Sequence, residues 1–393
     1  MLDVQESTPC WVDVDLDAVG NNIASVKKFL HSGNVRLMAV VKSNAYGHGL
    51  LPVARTAMTR GADALGVTHP NEGIALREEG IDAPVLIFRP LLPGEEEDIV
   101  RFGLTASVST VEQAELLSAA AQKFGLRTPV HLKIETGMGR TGFLPETLKA
   151  MANRLFSLPG LEWEGIYTHF ASAAIDSSFT RRQFQNFCGI VQDFAIKGIE
   201  FPLRHVCNSA AALLYPEMHL DMVRAGTLIY GQLPAGVTSP ALDLEDTWSF
   251  WTRVIHLQKA RSGATIGYGR THRVRRDTVI AVLPVGYRDG FGLDVQRRPA
   301  GLLDLGKVIA KIILGYLGHP VGSPYVSING TLAPVVGRIG MELSCIDVGN
   351  IPDIKVGTPV LVQVRRTVVK DSVPCLYRCQ VPSHSNSGPE MQT

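Results

Sequence analysis

From residue 34 the chain alternates short β-rich apolar runs with helical stretches, and this alternation limits the fold more than any other feature. VRLMAVV (35–41), DALGV (63–67), PVLIF (84–88), LTASV (104–108), PVHLKI (129–134), EGIYT (164–168), RHVC (204–207) and MVRAGTLIY (222–230) read as eight strands. The helical GLLPVARTAMTRG separates the first two, and NEGIALREEG after the second carries Asn71 and Glu72, which suit a helix start. Eight strands separated by helices predict an α/β fold with a parallel sheet closed into a (β/α)8 TIM-type barrel.

After about residue 240 the texture changes. SFWTRVIHLQKA, TVIAVLPVG, YVSINGTLAPVVGRIG, SCIDV and TPVLVQV follow one another as strands, and Asn329-Gly330 marks a hairpin turn. The expected organisation is a barrel domain over 1–240 and a mainly β-strand domain over 241–393, with residues 1–14 a candidate to pair with the β domain. A length of 393 residues agrees with two domains. Residues 291–324, with RRPAGLLDLGK and the Gly/Pro-rich GYLGHPVGSP, read as an insertion or long loop.

The formal net charge of +1 gives no reason to expect nucleic acid or a membrane surface as partner. Val308 to Leu317 is the nearest approach to a spanning segment, and Lys311 breaks it. MLDVQESTPC at the start has no apolar signal core, and the six cysteines form no CxxC pair, so a reducing, cytoplasmic setting is expected. Cys375, Cys379 and His384 have non-standard metal spacing, and no metal is expected.

Barrel proteins build their sites at the C-terminal ends of the strands, often with phosphate held after strands seven and eight. Lys42 ends strand one, in AVVKSNAYGHG; Lys133 ends strand five, leading into ETGMGRTG with Arg140. His169 ends strand six, Asn208 and Ser209 follow strand seven, and Arg224, Gly226 and Thr227 belong to the eighth unit. Each has an ordinary alternative: Lys42 a solvated strand end, Lys133 a partner of Glu135, His169 a core histidine, Asn208-Ser209 a helix cap, Arg224 a surface ion pair. Their convergence on one rim favours a site. A hydroxyl with glycine-flanked amides makes a phosphate cradle, and a lysine opposite it suggests pyridoxal 5′-phosphate carried on Lys42.

AVVKSNAYGHG resembles the cofactor-lysine signature of the alanine racemase family. The likeness continues through HLKIETGMGRTGF, YTHFASA, CNSAA, MVRAGTLIYG, IGYGRTH, LPVGYRDGF and VVGRIGME, over roughly residues 11 to 362. The resemblance implies a pyridoxal-phosphate isomerase that interconverts L- and D-alanine in D-alanine biosynthesis. It implies that Lys42 carries the cofactor and handles the D-isomer's α-proton, and that Tyr268, in IGYGRTH, is the second base. It also implies that Tyr46, Ser209 and the backbone at Gly226 and Thr227 hold the phosphate. His169 would lie by the ring, and Arg224 would face the pyridine nitrogen. Arg140 and Met341 match substrate-carboxylate positions, Tyr287 an entrance aromatic, and Lys133 a lysine commonly carbamylated. In the family the tyrosine reaches the lysine site of a partner subunit, so a homodimer with shared sites is implied, binding a small amino-acid substrate.

The chain departs from that pattern in three places. Glu342 follows Met341 where the family has aspartate, the 291–324 insertion is long, and the stretch from about 363 reads as a diverged, mobile tail in which Tyr377 is a weak match for a phosphate-touching tyrosine. Two further readings stay open: a racemase of serine or broader specificity, and a pyridoxal-phosphate-binding or homeostasis protein without turnover.

Overall fold

The computed structural model describes residues 7–30, 34–237, 242–293, 302–316, 324–370 and 372–379. They fall into two compact units: Asp15–Thr247 with the residues from Tyr377 onward, and Trp248–Leu376 with the residues up to Val14.

The first unit is a nearly closed barrel of eight parallel strands, in chain order Arg36–Val40, Ala64–Val67, Val85–Ile87, Thr105–Val108, Thr128–Lys133, Leu161–Tyr167, Leu203–His205 and Met222–Ala225. Strand eight pairs in parallel with strand one, with Leu37 opposite Val223 and Ala39 opposite Ala225. Between strands seven and eight, the N–H groups of Asp221 and Arg224 donate to the carbonyls of Arg204 and Cys207 at 3.1 Å each. All eight runs read from the sequence form these strands. Side chains along a strand alternate between its two faces. Met38, Ala64, Leu86 and Met222 accordingly form a small inner cluster, while Leu37, Ala39, Leu65, Val67 and Val85 join the large core shared with the helices. Both faces of each strand are covered, which is why the runs are apolar throughout.

The helices start where short polar side chains satisfy the free N–H groups of a first turn. Asp15 accepts from Ala18 N–H at 2.8 Å to open Leu16–Phe29, and Thr110 accepts from Gln113 N–H at 3.2 Å to open Val111–Phe124. Glu72 turns back to accept from His69 N–H at 3.0 Å, at the start of Pro70–Glu78.

The second unit is built on a nine-stranded sheet. Its order is His256–Ala260, Thr278–Leu283, Ser344–Asp347, Thr331–Val336, Tyr325–Ile328, Pro359–Val362, Trp248–Arg253, Cys10–Asp15 and Cys375–Arg378. Cys10–Asp15 pairs antiparallel with Trp248–Arg253, setting Trp11 opposite Trp251, with their rings stacked 6.2 Å apart. Asn329 and Gly330, with φ of 50° and 75°, form the two-residue turn between Tyr325–Ile328 and Thr331–Val336.

Two expectations change. Within the 291–324 insertion, Leu302–Tyr316 is an α-helix rather than loop, and the residues on either side of it lie outside those described. In the tail expected to be mobile from about 363, Arg366–Val368 is a 3-10 turn and Cys375–Arg378 a sheet strand; residues 380–393, His384 among them, lie outside the described residues. No helix among the described residues is long and apolar enough to cross a membrane, and no group of three or more metal-ligating side chains occurs among them.

Candidate active site

Strand one runs out of the core into Lys42, and the backbone then does something rare. Ser43, Asn44, Ala45 and Tyr46 all take left-handed conformations, with φ between 52° and 55°. Each such L-residue costs about 1–2 kcal/mol, so the turn must be held from outside. The carbonyl of Asn44 accepts from His48 N–H at 3.1 Å and Gly49 N–H at 3.0 Å, while its side-chain oxygen accepts from Leu50 N–H at 2.8 Å. Glu72 accepts from Ser43 N–H at 2.6 Å, and Ala45 is fully buried. Behind the turn, His48 Nε2 and Thr247 Oγ1 lie 2.8 Å apart, and Tyr230 donates its hydroxyl to Val40 O at 3.0 Å. Thr247 and Tyr230 do not stand out in the sequence, where Glu72 reads only as part of a helix start.

The turn carries Tyr46 round to the loop after strand eight. A Cβ placed on Gly226 would lie 2.8 Å from the Tyr46 hydroxyl, so only glycine leaves this gap open. Gly226 N–H donates to Ser209 Oγ at 2.9 Å. Asn208 caps Ser209–Leu214, its side chain accepting from Ala211 N–H at 3.0 Å, so the capping alternative is also realised. Thr227 Oγ1 is buried with no hydrogen-bond partner among the described residues. A buried hydroxyl left unmade costs about 1–3 kcal/mol, and a ligand rich in acceptor oxygens relieves that cost. Residues and gap together fit a phosphate.

The far wall is built on Arg224. Its guanidinium is buried and donates to the carbonyls of His205 at 3.0 Å, Thr168 at 2.9 Å and Val206 at 3.1 Å. It also donates to Nδ1 of His205 at 2.7 Å and to Nδ1 of His169 at 3.3 Å, and lies 5.2 Å over the Tyr167 ring. Burial pulls its pKa down to about 10, which still leaves it charged at neutral pH. His169 is pushed down to about 3, by burial first and then by Arg224, Arg140 and the two lysines, so its ring is neutral. Because Arg224 donates to Nδ1, the His169 proton sits on Nε2. Arg224 is therefore a buried cation whose two terminal nitrogens are engaged by carbonyl and imidazole acceptors, not a surface ion pair.

Burial, with help from Arg140, lowers the pKa of Lys42, while Glu72 acts weakly the other way. A lysine loosened from its proton in this way is suited to covalent or base chemistry. Lys133 falls further, to about 8, through burial, Arg140 and Arg224. Its ammonium donates to Phe88 O at 3.3 Å and sits 5.3 Å over Tyr167. Glu135, the alternative partner, instead accepts from the backbone N–H groups of Gly137 and Met138 at 2.5 Å and Arg140 at 3.1 Å.

These side chains line one cavity of about 390 Å³. Lys42, Tyr46, Lys133, Arg140, His169, Asn208, Ser209, Arg224, Gly226 and Thr227 all contribute to its walls, and among the described residues no carboxylate does. Four cationic side chains without an acid ask for an anionic ligand. Tyr167 adds a wall that the sequence reading left without a role, although it sits inside the quoted YTHFASA stretch.

The second unit holds the remaining three candidates. Tyr287 N–H donates to Gly340 O at 3.0 Å and Arg288 N–H to Met341 O at 3.1 Å, which brings Tyr287 and Met341 together. Glu342 pairs with Arg288 at 2.7 Å. Tyr268 stands apart on the turn Tyr268–Arg270, with 78% of its surface exposed.

Fold and site define a two-domain barrel protein with a lysine at the mouth of strand one and a cation-lined cavity beside it. Family models described as alanine racemase N-terminal domain and alanine racemase C-terminal domain match residues 14–234 and 247–372. The chain is 38% identical over 357 residues to the alanine racemase of Desulforamulus reducens, covering 90% of each chain, and 36% identical to that of Methanococcus maripaludis, covering 91% of this chain and 89% of the relative. Among solved structures it resembles the alanine racemase of Clostridium difficile 630, with a TM-score of 0.83, 28% identity, and coverage of 95% of this chain and 96% of that one. The Bacillus anthracis alanine racemase with bound L-Ala-P gives a TM-score of 0.80 at 29% identity, over 95% and 96% of the two chains. The chain belongs to the alanine racemase family.

Proposed function

We propose that the protein interconverts L-alanine and D-alanine with pyridoxal 5′-phosphate. The observation that carries this reading is a four-cation cavity in which, among the described residues, no acid lines the wall and the Thr227 hydroxyl has no partner beside a glycine-only gap. When bound, the cofactor supplies an electron-withdrawing ring that acidifies the amino acid's α-C–H bond.

The chain's own residues supply the rest. Tyr46, kept neutral by burial, and Thr227 donate hydroxyl protons to the phosphate, and Ser209 aims the Gly226 loop. Lys42 holds the cofactor and moves the proton on one face of the α-carbon. Tyr268 moves it on the other face, from the partner subunit of a homodimer, so each site needs two chains. Arg224 keeps its proton, so a pyridine nitrogen facing it stays unprotonated and side reactions that need a strong electron sink are held back. Arg140, near Lys133, receives the substrate carboxylate. Lys133, held partly neutral near pH 8, is suited to carbamylation, which would turn a crowding cation into an anion that steadies Arg140. Met341 contributes to the substrate-carboxylate region, and Tyr287 lines the entrance and limits side-chain size. We place this activity in the cytoplasm, in D-alanine supply.

Exchange of the α-proton for deuterium, followed by mass spectrometry over a panel of amino acids in both configurations, tests the proposal. Exchange confined to alanine is the expected result; bound cofactor without exchange would leave a cofactor-binding protein. A second reading, serine or broader specificity, is favoured by Glu342, whose longer acid is drawn to Arg288 beside Met341. Exchange in serine as fast as in alanine would establish it.

A further inference from the structure

The turn that carries Tyr287 is supported from two directions. On one side are the backbone bonds of Tyr287 and Arg288 to Gly340 and Met341. That approach is possible because residue 286 is glycine: a Cβ there would run into the carbonyls of both Gly340 and Met341. On the other side is the segment 364–370, which belongs to the stretch expected to be a mobile tail. Arg365 N–H donates to Gly290 O at 3.2 Å, and Phe291 forms an antiparallel bridge with Val364. A Cβ on Gly290 would fall 2.6 Å from Val368 Cγ2, so the tail lies directly against the turn.

The two supports meet at one carboxylate. Asp289 ends the 3-10 turn Tyr287–Asp289 and is buried. One of its oxygens accepts from Gly286 N–H at 3.1 Å, which closes the turn. The other accepts from the Lys370 ammonium, also at 3.1 Å. A buried carboxylate is costly unless it is paired and hydrogen-bonded, and Lys370 supplies the charge of the tail side. The nearby pair of Arg288 with Glu342 differs in kind, because both of its side chains are more than half exposed and such pairs contribute little. Backbone bonds on one side alone leave a turn free to pivot about them. The tail, tied in through Lys370, removes that freedom from the backbone on which Tyr287 stands.

We propose that Asp289 and Lys370 are positioning residues for substrate selection, a strut that fixes Tyr287 and with it the size of side chain admitted. The inference rests on the reading of Tyr287 as the entrance residue that limits side-chain size. It gives the segment 364–370 a task in the reaction, although none of its residues lines the cavity.

Lys370→Met in the full-length protein, loaded with pyridoxal 5′-phosphate, tests it by two readouts. Amide hydrogen exchange, followed by mass spectrometry, should quicken about tenfold over 286–291 and stay unchanged in the barrel strands. The kcat/KM for α-proton exchange in 2-aminobutyrate, which is alanine with one more methylene, should rise roughly fivefold relative to alanine, while kcat for alanine stays within about twofold of the parent. Lys370→Arg should restore both readouts. In a Tyr287→Ala background the Lys370 change should no longer move the ratio, an outcome that a general loss of stability would not give. Turn amides that exchange as in the parent would overturn the proposal. So would faster amides with an unchanged ratio, or a change in ratio that persists without the Tyr287 ring. If the parent exchanges no α-proton in any amino acid, the functional reading fails separately, and amide exchange alone then upholds or overturns the strut.

Discussion

Arg224 donates to Nδ1 of His205 at 2.7 Å, and His205 Nε2 meets His131 Nδ1 at 2.9 Å. A guanidinium can only donate, so each ring's tautomer follows in turn: the His205 proton is on Nε2, and the His131 proton is on the Nε2 that faces Glu164 at 3.6 Å. Burial and Arg224 hold His205 well below an ordinary histidine, and burial lowers His131 as well. Long-range ¹⁵N correlation spectra should show both rings neutral, with Nε2 protonated, at the pH where an ordinary histidine is half protonated, about 6.5. A ring titrating near 6.5 would contradict the assignment. The sign for stability follows: the unfolded chain binds protons that the folded rings refuse, so stability should fall as pH drops below about 6.5.

Thr227 gives a prediction with opposite signs in two states. Thr227→Val removes a buried hydroxyl that has no partner, so the cofactor-free protein should gain about 1 kcal/mol in urea unfolding. The same change should weaken pyridoxal-phosphate binding, read by equilibrium dialysis, about tenfold. Equal affinity in parent and variant would remove Thr227 from the phosphate cradle.

Lys133 should make the cofactor-free protein more stable at high pH. Its folded pKa of about 8 lies below the 10.5 of a free lysine, so the cost of burying the charge is fully present below pH 8 and fades as pH rises toward 10.5. Lys133→Met, in carbonate-free buffer, should be more stable than the parent by about 3 kcal/mol at pH 7 and lose that advantage near pH 10.5. A gain that does not depend on pH would mean the ammonium is solvated.

Gly49 and Tyr377 can be tested as a pair. Gly49 has φ of 92°, and a Cβ there would fall 2.0 Å from the Tyr377 hydroxyl. Gly49→Ala should therefore loosen the turn that presents Lys42, lowering stability and slowing cofactor capture. In a Tyr377→Phe background the nearest obstructing atom is gone, and the ring carbon at 3.0 Å and the backbone strain remain. The second substitution should then recover roughly 1 kcal/mol of the loss in a double-mutant cycle. Strict additivity would show that the two positions do not touch.

The shared-site proposal has a decisive mixing test. Lys42→Ala and Tyr268→Ala should each be inactive alone, and mixing them under conditions of subunit exchange should restore activity, since one site per mixed dimer regains both bases. Confirmed exchange without restored activity would mean that each chain works alone.

The sequence by itself determined the strand and helix alternation and the rim to which the chemistry is confined. Period-two and apolar patterning decides which runs can be barrel strands, and strand ends then place Lys42, Lys133, His169, Asn208 and Arg224 at the same end of one sheet. It did not determine how those residues are held. Nothing in Ser-Asn-Ala-Tyr announces four left-handed residues, because the contacts that stabilise them come from Glu72 and from the local capping by Asn44. His131 lies 74 positions from His205, and Tyr377 lies far from Gly49 along the chain. Such pairs are chosen by packing after the elements have formed, and local propensity carries no trace of them. The helix Leu302–Tyr316 was missed for the converse reason: glycine and proline flank it so densely that KVIAKIIL, with its helical spacing, read as part of a loop. Secondary structure answers to neighbours a few residues away, whereas the strain, tautomers and orphaned hydroxyl of the cavity answer only to groups brought together by the closed barrel.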